Sequence, residues 1–267
     1  MIGLDGNFIL EVAPRFSGSK AAAQSAIVGA ISGEFESILA EYDIDEYLRI
    51  AHFMGQVTHE CAGFRTTEEF ASGAAYEGRT DLGNVNPGDG RRYKGRGLLQ
   101  LTGRANYRRY GDLMGLPLEA EPQRAGEPLT SLRIACEYWK DRRINPDCDR
   151  DDLVAVTKKV NGGTNGIDDR RKYLQKAKAA LKLRMGTVIA SQSGDSRPVL
   201  RRGSFGEAVA RLQEALRGHG FAISIDFDFG GATELAVLEF QKRKGLEEDG
   251  IVGKDTWDAL GGAEQGP

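Results

Sequence analysis

Apolar residues recur every three or four positions through much of the first part of the chain, which is the spacing of amphipathic helices. The pattern runs without interruption from Ser19, a residue type that often caps a helix, to Tyr42. We therefore predict one helix between a cap at Ser19 and about Tyr42. Its apolar positions are Ile27, Ile31, Phe35, Ile38 and Leu39.

A second predicted helix follows a cap at Asp45 and has two distinct faces. One face is apolar, and the other is a polar stripe that ends in a histidine and a glutamate. The apolar face carries Tyr47, Ile50, Ala51, Met54 and Val57, and the polar stripe carries Arg49, His52, Gln56, His59 and Glu60.

Further helices are predicted over residues 131–140, 151–160 and 169–183. The glycine-rich residues 72–97 are predicted to form a loop, because glycine weakens helices and favours turns. Residues 1–185 are therefore expected to form one mainly α-helical domain.

Residues 186–197 are small and polar and lose the helical pattern, as a linker would. Residues 198–262 then form a second predicted domain with a helix at 207–217 and a near-repeat of 23 residues. Each copy is a turn followed by a helix, capped by Thr233 in the first and Thr256 in the second. The repeat aligns Asp226, Phe229, Gly230 and Thr233 with Asp249, Val252, Gly253 and Thr256.

A length of 267 residues fits two domains, and 40% hydrophobic with 28% charged residues is an ordinary globular composition. No apolar stretch is long enough to span about 30 Å of hydrocarbon. The first residues lack the pattern of a secretory signal, so we expect synthesis in a cytoplasm. The odd number and the spacing of the cysteines, which are Cys61, Cys136 and Cys148, indicate reduced thiols.

Positive charge is concentrated between residues 79 and 109, although the whole chain carries a net charge of −3. This segment contains eight basic residues and only two acidic ones, Asp81 and Asp89, so its local net charge is +6. Such a segment suits a polyanionic ligand, and the alternative interpretation is a solvated basic loop.

The pair His59 and Glu60 on a helix resembles half of a zinc protease motif, but Gly63 occupies the place of the second histidine. Paired carboxylates remain as candidate chemistry, since glycoside hydrolysis needs one acid and one base. Glu60 is the candidate acid, because partial burial at a helix end favours its protonated form. Glu68 and Glu69 are the candidate bases, and their spacing does not choose between them.

Four ordered segments, AHFMGQVTHECAGF, YEGRTDLGN, GDGRRYKGRGLLQLTGRANY and VNGGTNG, resemble glycoside hydrolase family 19, and in particular its bacteriophage endolysin branch. The resemblance covers about residues 40 to 180. It implies a lysozyme-like or chitinase-like helical catalytic domain. It also implies an inverting mechanism, with Glu60 as general acid and Glu69 rather than Glu68 as general base.

The same resemblance implies the remaining site residues. Gln100 and Thr102 match positions that hold the nucleophilic water and the sugar, and Asn106 matches a substrate contact. The other polar residues expected to line the substrate cleft are His59, Glu68, Asn161 and Arg170.

The second domain resembles the three-helix peptidoglycan-binding family through VLRRGSFGEAVARLQEAL, GATELAVLEFQKRKGL and DGIVGKDTWDAL. Phe227 stands where this family usually has glycine in the first turn. The resemblance implies that this domain binds the wall and raises the local substrate concentration.

Together the two resemblances predict an endolysin-type enzyme that hydrolyses β-1,4 bonds of bacterial peptidoglycan. The expected partner is peptidoglycan, reached after the protein is released from the host cytoplasm. We expect no cofactor, no metal, no nucleic-acid partner, no stable membrane association and a monomeric state. The alternatives are a chitinase, a wall-binding protein without activity and a zinc amidase.

Overall fold

The chain folds into two compact units of helices, Gly3–Ala180 and Leu181–Pro267. The computed structural model describes residues 3–192, 197–204, 206–225 and 227–261, and within these ranges only isolated bridges accompany the helices and turns. The fold is therefore mainly α-helical, as predicted. The helices are α1 Gly6–Val12, α2 Gly18–Ser32, α3 Phe35–Glu41, α4 Tyr47–Glu60, α5 Asp89–Arg92, α6 Arg104–Met114, α7 Pro128–Asp141, α8 Asn145–Asp149, α9 Leu153–Asn161, α10 Ile167–Gln192, α11 Glu207–Gly218, α12 Gly231–Lys244 and α13 Lys254–Gly261.

Helix α4 is the central element of the first unit. Its first twelve residues, from Tyr47 to Thr58, are buried except for partly exposed Arg49. Phe53, next to the predicted apolar face, meets the ring of Trp139 from α7 edge to face, with 5.2 Å between the centroids. The predicted apolar face is confirmed because all five of its residues are buried, and His52 and Gln56 of the polar stripe are buried too.

Helix α10 approaches α4 closely at Gly55. A Cβ atom at this position would lie 3.2 Å from the backbone nitrogen of Leu174 and 3.3 Å from the backbone oxygen of Arg170. Because glycine has no Cβ, the two helices can pack almost backbone to backbone here. This contact brings the start of α10 beside the last turn of α4.

The turn after α4 redirects the chain toward the predicted base. Gly63 has φ +75° and donates its backbone N–H to the oxygen of Thr58 at 2.7 Å. A Cβ at Gly63 would lie 2.5 Å from Pro14 Cγ, so both the conformation and the space favour glycine. The buried side chain of Gln24 fastens the turn by donating to the oxygen of Gly63 at 2.7 Å.

Several predicted boundaries are wrong. The single helix expected from Ser19 to Tyr42 is two helices, α2 and α3, because the chain turns at Gly33, and the N-cap of α2 is Ser17. The N-cap of α4 is Glu46, not Asp45. The structure also contains α1, α6 and α8, which were not predicted, and short helical turns within the predicted loop 72–97.

The predicted linker begins inside a helix. Helix α10 continues to Gln192, so residues 186–192 of the predicted linker are helical, contrary to the expected loss of the helical pattern. The boundary between the compact units lies at residues 180 and 181. Residues 193–196, within the predicted linker, and Gly262, the last residue of the predicted second domain, lie outside the described residues.

The second unit contains the three predicted helices, α11, α12 and α13, around one apolar core. A buried glutamine organises each copy of the repeat. Gln213 accepts from the N–H of Phe227 at 3.1 Å and donates to the oxygen of Asp228 at 3.0 Å, and Gln241 does the same with Gly250 and Ile251 at 2.9 Å each. Asp226, part of the predicted repeat, lies outside the described residues.

The repeat departs from prediction at its threonines. Thr233 and Thr256 lie inside the first turns of α12 and α13 and are not their caps, and α12 has Gly230 as its N-cap. Each hydroxyl donates back to the turn, Thr233 to the oxygen of Asp228 at 3.2 Å and Thr256 to the oxygen of Ile251 at 3.3 Å.

Phe227 has φ +66°, close to the φ of +70° at Gly250 in the equivalent position of the second copy. The left-handed conformation costs a non-glycine residue about 1 kcal/mol or more. The matching φ values show that the first turn has the backbone geometry of the second at this position, despite the cost of a phenylalanine there.

All three cysteines are buried and free. Burial raises the pKa of Cys61 to about 12 and also raises the pKa values of Cys136 and Cys148. No helix in the described part of the chain has the length and apolar character needed to cross a membrane.

We predict that Gly55→Ala lowers the free energy of unfolding, since the new methyl group would press on backbone atoms of α10 that can move only with the whole helix. The matched control is Gly29→Ala on α2, where a Cβ meets nothing within 4 Å. That change should stabilise the protein by up to about 1 kcal/mol through helix propensity. Urea titrations should separate the two variants by about 2 kcal/mol; equal stabilisation by both would contradict the proposed close contact.

Candidate active site

Glu60 is the last residue of α4, and its side chain is 19% exposed. One carboxylate oxygen, Oε1, accepts a hydrogen bond from Nη2 of Arg170 in α10. Among the described residues, nothing donates to the other oxygen, Oε2. The carboxyl group is therefore fixed at one oxygen, and the other can meet a ligand.

Arg170 is almost fully buried, with 2% of its surface exposed. Besides Glu60, its guanidinium donates to Oε1 of Gln56 at 2.5 Å and to the backbone oxygen of Asn165 at 3.1 Å. The predicted role of Arg170 as a cleft-lining substrate contact does not fit this burial. Its geometry makes it a positioning residue that links α10 to the carboxylate of Glu60.

His59 is held in a similar way. Its Nδ1 lies 2.8 Å from Oδ2 of Asp169, and its ring packs against Gly166, where a Cβ would lie 2.3 Å from the ring carbon Cε1. The side chain keeps 28% of its surface exposed. His59 is therefore beside Glu60, oriented by Asp169 and still open to solvent.

Glu69 is fixed by two hydrogen bonds, one to each oxygen. The backbone N–H of Gly95 donates to Oε1 at 2.8 Å, and the hydroxyl of Tyr76 donates to Oε2 at 3.0 Å. Burial, together with the hydrogen bond to Glu69, raises the pKa of Tyr76, so its hydroxyl stays protonated and donates near neutral pH.

Glu68 makes different contacts from its neighbour. It forms ion pairs with Lys94 at 2.9 Å and with Arg96 at 3.3 Å, and its side chain is 48% exposed. The hydrogen bond from Lys94 holds the pKa of Glu68 below its usual range. Glu68 therefore ties its loop to the segment carrying Gly95 and is not directed toward Tyr76.

Gln100 and Thr102 lie next to Glu69 around Gly95. A Cβ at Gly95 would be 2.9 Å from Oε1 of Gln100, 3.2 Å from Oγ1 of Thr102 and 3.4 Å from Cδ of Glu69. Gln100 has φ +52°, an uncommon conformation of the kind found at functional sites. Three predicted site residues thus converge on one glycine.

The two predicted asparagines support backbone in the structure. Asn106 donates from its side chain to the oxygen of Thr102 at 2.7 Å. Asn161, at the end of α9, donates to the oxygen of Asn165 at 3.1 Å and accepts from the N–H of Gly163 at 2.8 Å. Asn161 therefore shapes the loop whose Asn165 oxygen also binds Arg170.

Most basic residues of the positive stretch 79–109 are paired with carboxylates. Six of its eight basic residues form ion pairs, and several of the acidic partners, such as Glu119 and Asp141, come from outside the stretch. A local charge of +6 counted along the sequence therefore overstates the field at the surface. The interpretation of this segment as a binding site for a polyanionic ligand loses its main support.

Sequence reasoning missed Tyr76, Gly95 and Asp169 as parts of the site. Tyr76 and Gly95 stand in two segments that carry the family resemblance and were predicted to form a loop, but nothing local marks their contact with Glu69. In the described part of the chain, no cluster of three or more histidine, cysteine or acidic side chains could hold a metal ion.

Relatives of known sequence match part of the chain. A glycosyl hydrolase family 19 domain-containing protein from Haemophilus influenzae is 36% identical over 104 residues, which are 39% of this chain and 50% of that protein. Endochitinase At2g43620 from Arabidopsis thaliana is 34% identical over 115 residues, 43% of this chain and 39% of the relative. The chain thus spans about half or less of these relatives.

The fold has a counterpart among solved structures. Chitinase C from Streptomyces griseus HUT6037 superposes with a TM-score of 0.50 at 18% identity, covering 67% of this chain and 93% of that one. This likeness shows a shared fold. The helical domain that carries Glu60 and Glu69 is thus similar in sequence to a family 19 glycosyl hydrolase domain and to an endochitinase, and it shares the fold of chitinase C.

A family model described as a putative peptidoglycan binding domain matches residues 205–260. The chain thus combines a domain similar to family 19 glycosyl hydrolases with a module that matches the putative peptidoglycan binding domain, so the resemblance to each of these two families is confirmed.

We predict that Tyr76→Phe lowers kcat about tenfold with little change in KM, since a hydrogen bond to a charged group contributes roughly 1.5 kcal/mol. The matched control is Tyr173→Phe, because the hydroxyl of Tyr173 makes no hydrogen bond among the described residues. Steady-state kinetics on a soluble N-acetylated glycan oligomer checks both variants. Equal kinetics for Tyr76→Phe and Tyr173→Phe would show that the Tyr76 hydroxyl does not support Glu69.

Proposed function

We propose that this protein hydrolyses the β-1,4 glycosidic bonds of bacterial peptidoglycan with inversion at the anomeric carbon. The observation that carries the proposal is the pair of differently held carboxylates. Glu60 has one oxygen fixed by Arg170 and one without a hydrogen bond among the described residues, whereas both oxygens of Glu69 are fixed beside Gln100 and Thr102. One group suits proton donation, and the other suits the activation of water.

In the proposed reaction, Glu60 gives its proton to the glycosidic oxygen as the bond to the anomeric carbon breaks. The Oε2 atom is the natural donor, because Oε1 is engaged by the guanidinium of Arg170. Arg170 and Gln56 hold the carboxyl group at the end of a rigid helix. Fixed orientation of this kind lowers the entropic part of the activation barrier.

Glu69 takes a proton from the water that attacks the opposite face of the sugar. The side-chain oxygens of Gln100 and Thr102 are close to the Glu69 carboxylate, and they can bind the same water. An inverting reaction needs the two carboxyl groups to stand about 6.5 to 9.5 Å apart, with room for water between them. Glu68 is paired with Lys94 and Arg96 instead, which favours Glu69 as the base.

The second unit supports peptidoglycan as the polymer that is bound. A wall-binding module linked to the catalytic domain raises the substrate concentration that the active site meets. We place the protein among wall-lysing enzymes of the endolysin type that act after release from the host cytoplasm, a proposal that rests on the four ordered sequence motifs.

A chitinase is the second candidate function, and the endochitinase relatives favour it. We expect the full chain to release reducing ends from purified peptidoglycan and not from colloidal chitin. Mass spectrometry of the released fragments then identifies the cleaved linkage from the sugar at the reducing end. Release from chitin alone would replace peptidoglycan as the substrate.

We predict that Glu60→Gln and Glu69→Gln each lower lysis by about a thousandfold, because each removes a proton-transfer group. Both variants should still bind purified walls. Glu68→Gln is the matched control, and it should keep activity within about threefold because it removes only partly exposed ion pairs.

Other outcomes identify the rival classes. A wall-binding protein without activity would show the same lysis for wild type and Glu60→Gln. A zinc amidase would lose its activity in the presence of a chelator and would release peptides in place of reducing sugars.

A further inference from the structure

An open pocket of about 390 Å³ lies in the first unit, and Glu60 and Glu69 are not among the residues that line it. It is lined by Ser19, Lys20 and Ala23 of α2 together with Arg65 and Phe70 from the segment after α4. The ring of Phe70 is 76% exposed, which is unusual for so large an apolar side chain. The pocket therefore offers an apolar wall that the fold leaves uncovered.

Two cations line the same pocket without a carboxylate partner among the described residues. Lys20 makes no hydrogen bond or ion pair there. The Arg65 guanidinium lies 5.1 Å from the ring centroid of Phe70 and 5.6 Å from that of Phe16, and its Nε is buried without a hydrogen-bond partner. This contrasts with the basic stretch 79–109, where six of eight basic residues form ion pairs with acidic side chains.

The position of the pocket connects it with the proposed reaction. Phe70 directly follows Glu69, so their Cα atoms are about 3.8 Å apart. A glycan strand whose sugar lies beside Glu69 is therefore close enough for one of its substituents to reach Phe70.

We propose that this pocket, formed by Lys20, Arg65 and Phe70, binds the acidic peptide that branches from the glycan of peptidoglycan. The inference rests on the proposed function. Carboxylates of the peptide pair with Lys20 and Arg65, and its small apolar side chains pack on Phe70. Chitin has no such branch, so the pocket gives a physical basis for preferring peptidoglycan.

The test compares two soluble substrates with the full chain. One is a peptidoglycan fragment that keeps its peptides, and the other is the same glycan after an amidase has removed them. We expect Lys20→Glu to raise KM for the first substrate roughly fivefold without changing kcat, because one favourable charge contact becomes repulsive. Both constants for the peptide-free glycan should stay unchanged, and added salt should reduce the difference.

Lys20→Arg keeps the charge and should behave like wild type. Lys172→Glu is the matched control, because it makes the same charge change at an exposed position on α10 outside the pocket. Phe70→Ala is a second variant and should raise KM for the peptide-bearing substrate alone. An equal effect of Lys20→Glu on both substrates, or none on either, overturns the pocket assignment. If the wild type cleaves neither substrate, the proposed function itself is overturned.

Discussion

The site depends on one steric constraint, the close approach of α4 and α10 at Gly55. A missing Cβ lets the backbone of α10 come near the middle of α4, and one turn further along the same contact places Arg170 against Gln56 and Glu60. A buried guanidinium needs partners that satisfy its donors. Gln56, Glu60 and the oxygen of Asn165 supply them, so the packing of two helices and the orientation of the proposed acid are a single arrangement.

The two carboxylates have different mechanical support. Glu60 sits at the end of a buried helix and is held by a charged group, whereas Glu69 lies in a loop and is held by one backbone N–H and one phenolic hydroxyl. Other contacts hold the loop in place. It begins at the Gly63 turn, and the ion pairs of Glu68 with Lys94 and Arg96 fasten it to the segment of Gly95. The two adjacent glutamates therefore have different roles: Glu68 fixes the loop, and Glu69 lies beside Gln100 and Thr102.

Sequence periodicity predicted the faces of α4 well, because residues three and four apart share a face whatever they contact. It did not predict what those faces meet: the partners of His52, Gln56 and Glu60 are about 100 residues away in sequence. Periodicity also failed at Gly33, where apolar spacing continues although the chain turns. The choice between Glu68 and Glu69 came from family resemblance, since identical neighbouring residues differ only in tertiary contacts. The charge of the basic stretch was overestimated for the same reason, because three of its acidic partners, Glu68, Glu119 and Asp141, lie outside the stretch.

The three cysteines have a practical consequence. Each thiol is enclosed by the helical core, and burial keeps it in its unreactive protonated form. Alkylating reagents that need a thiolate will therefore leave the folded protein unmodified. A cysteine introduced on the surface of either unit would be the one that reacts, so a dye or a surface anchor can be attached at a chosen point without first removing the native thiols.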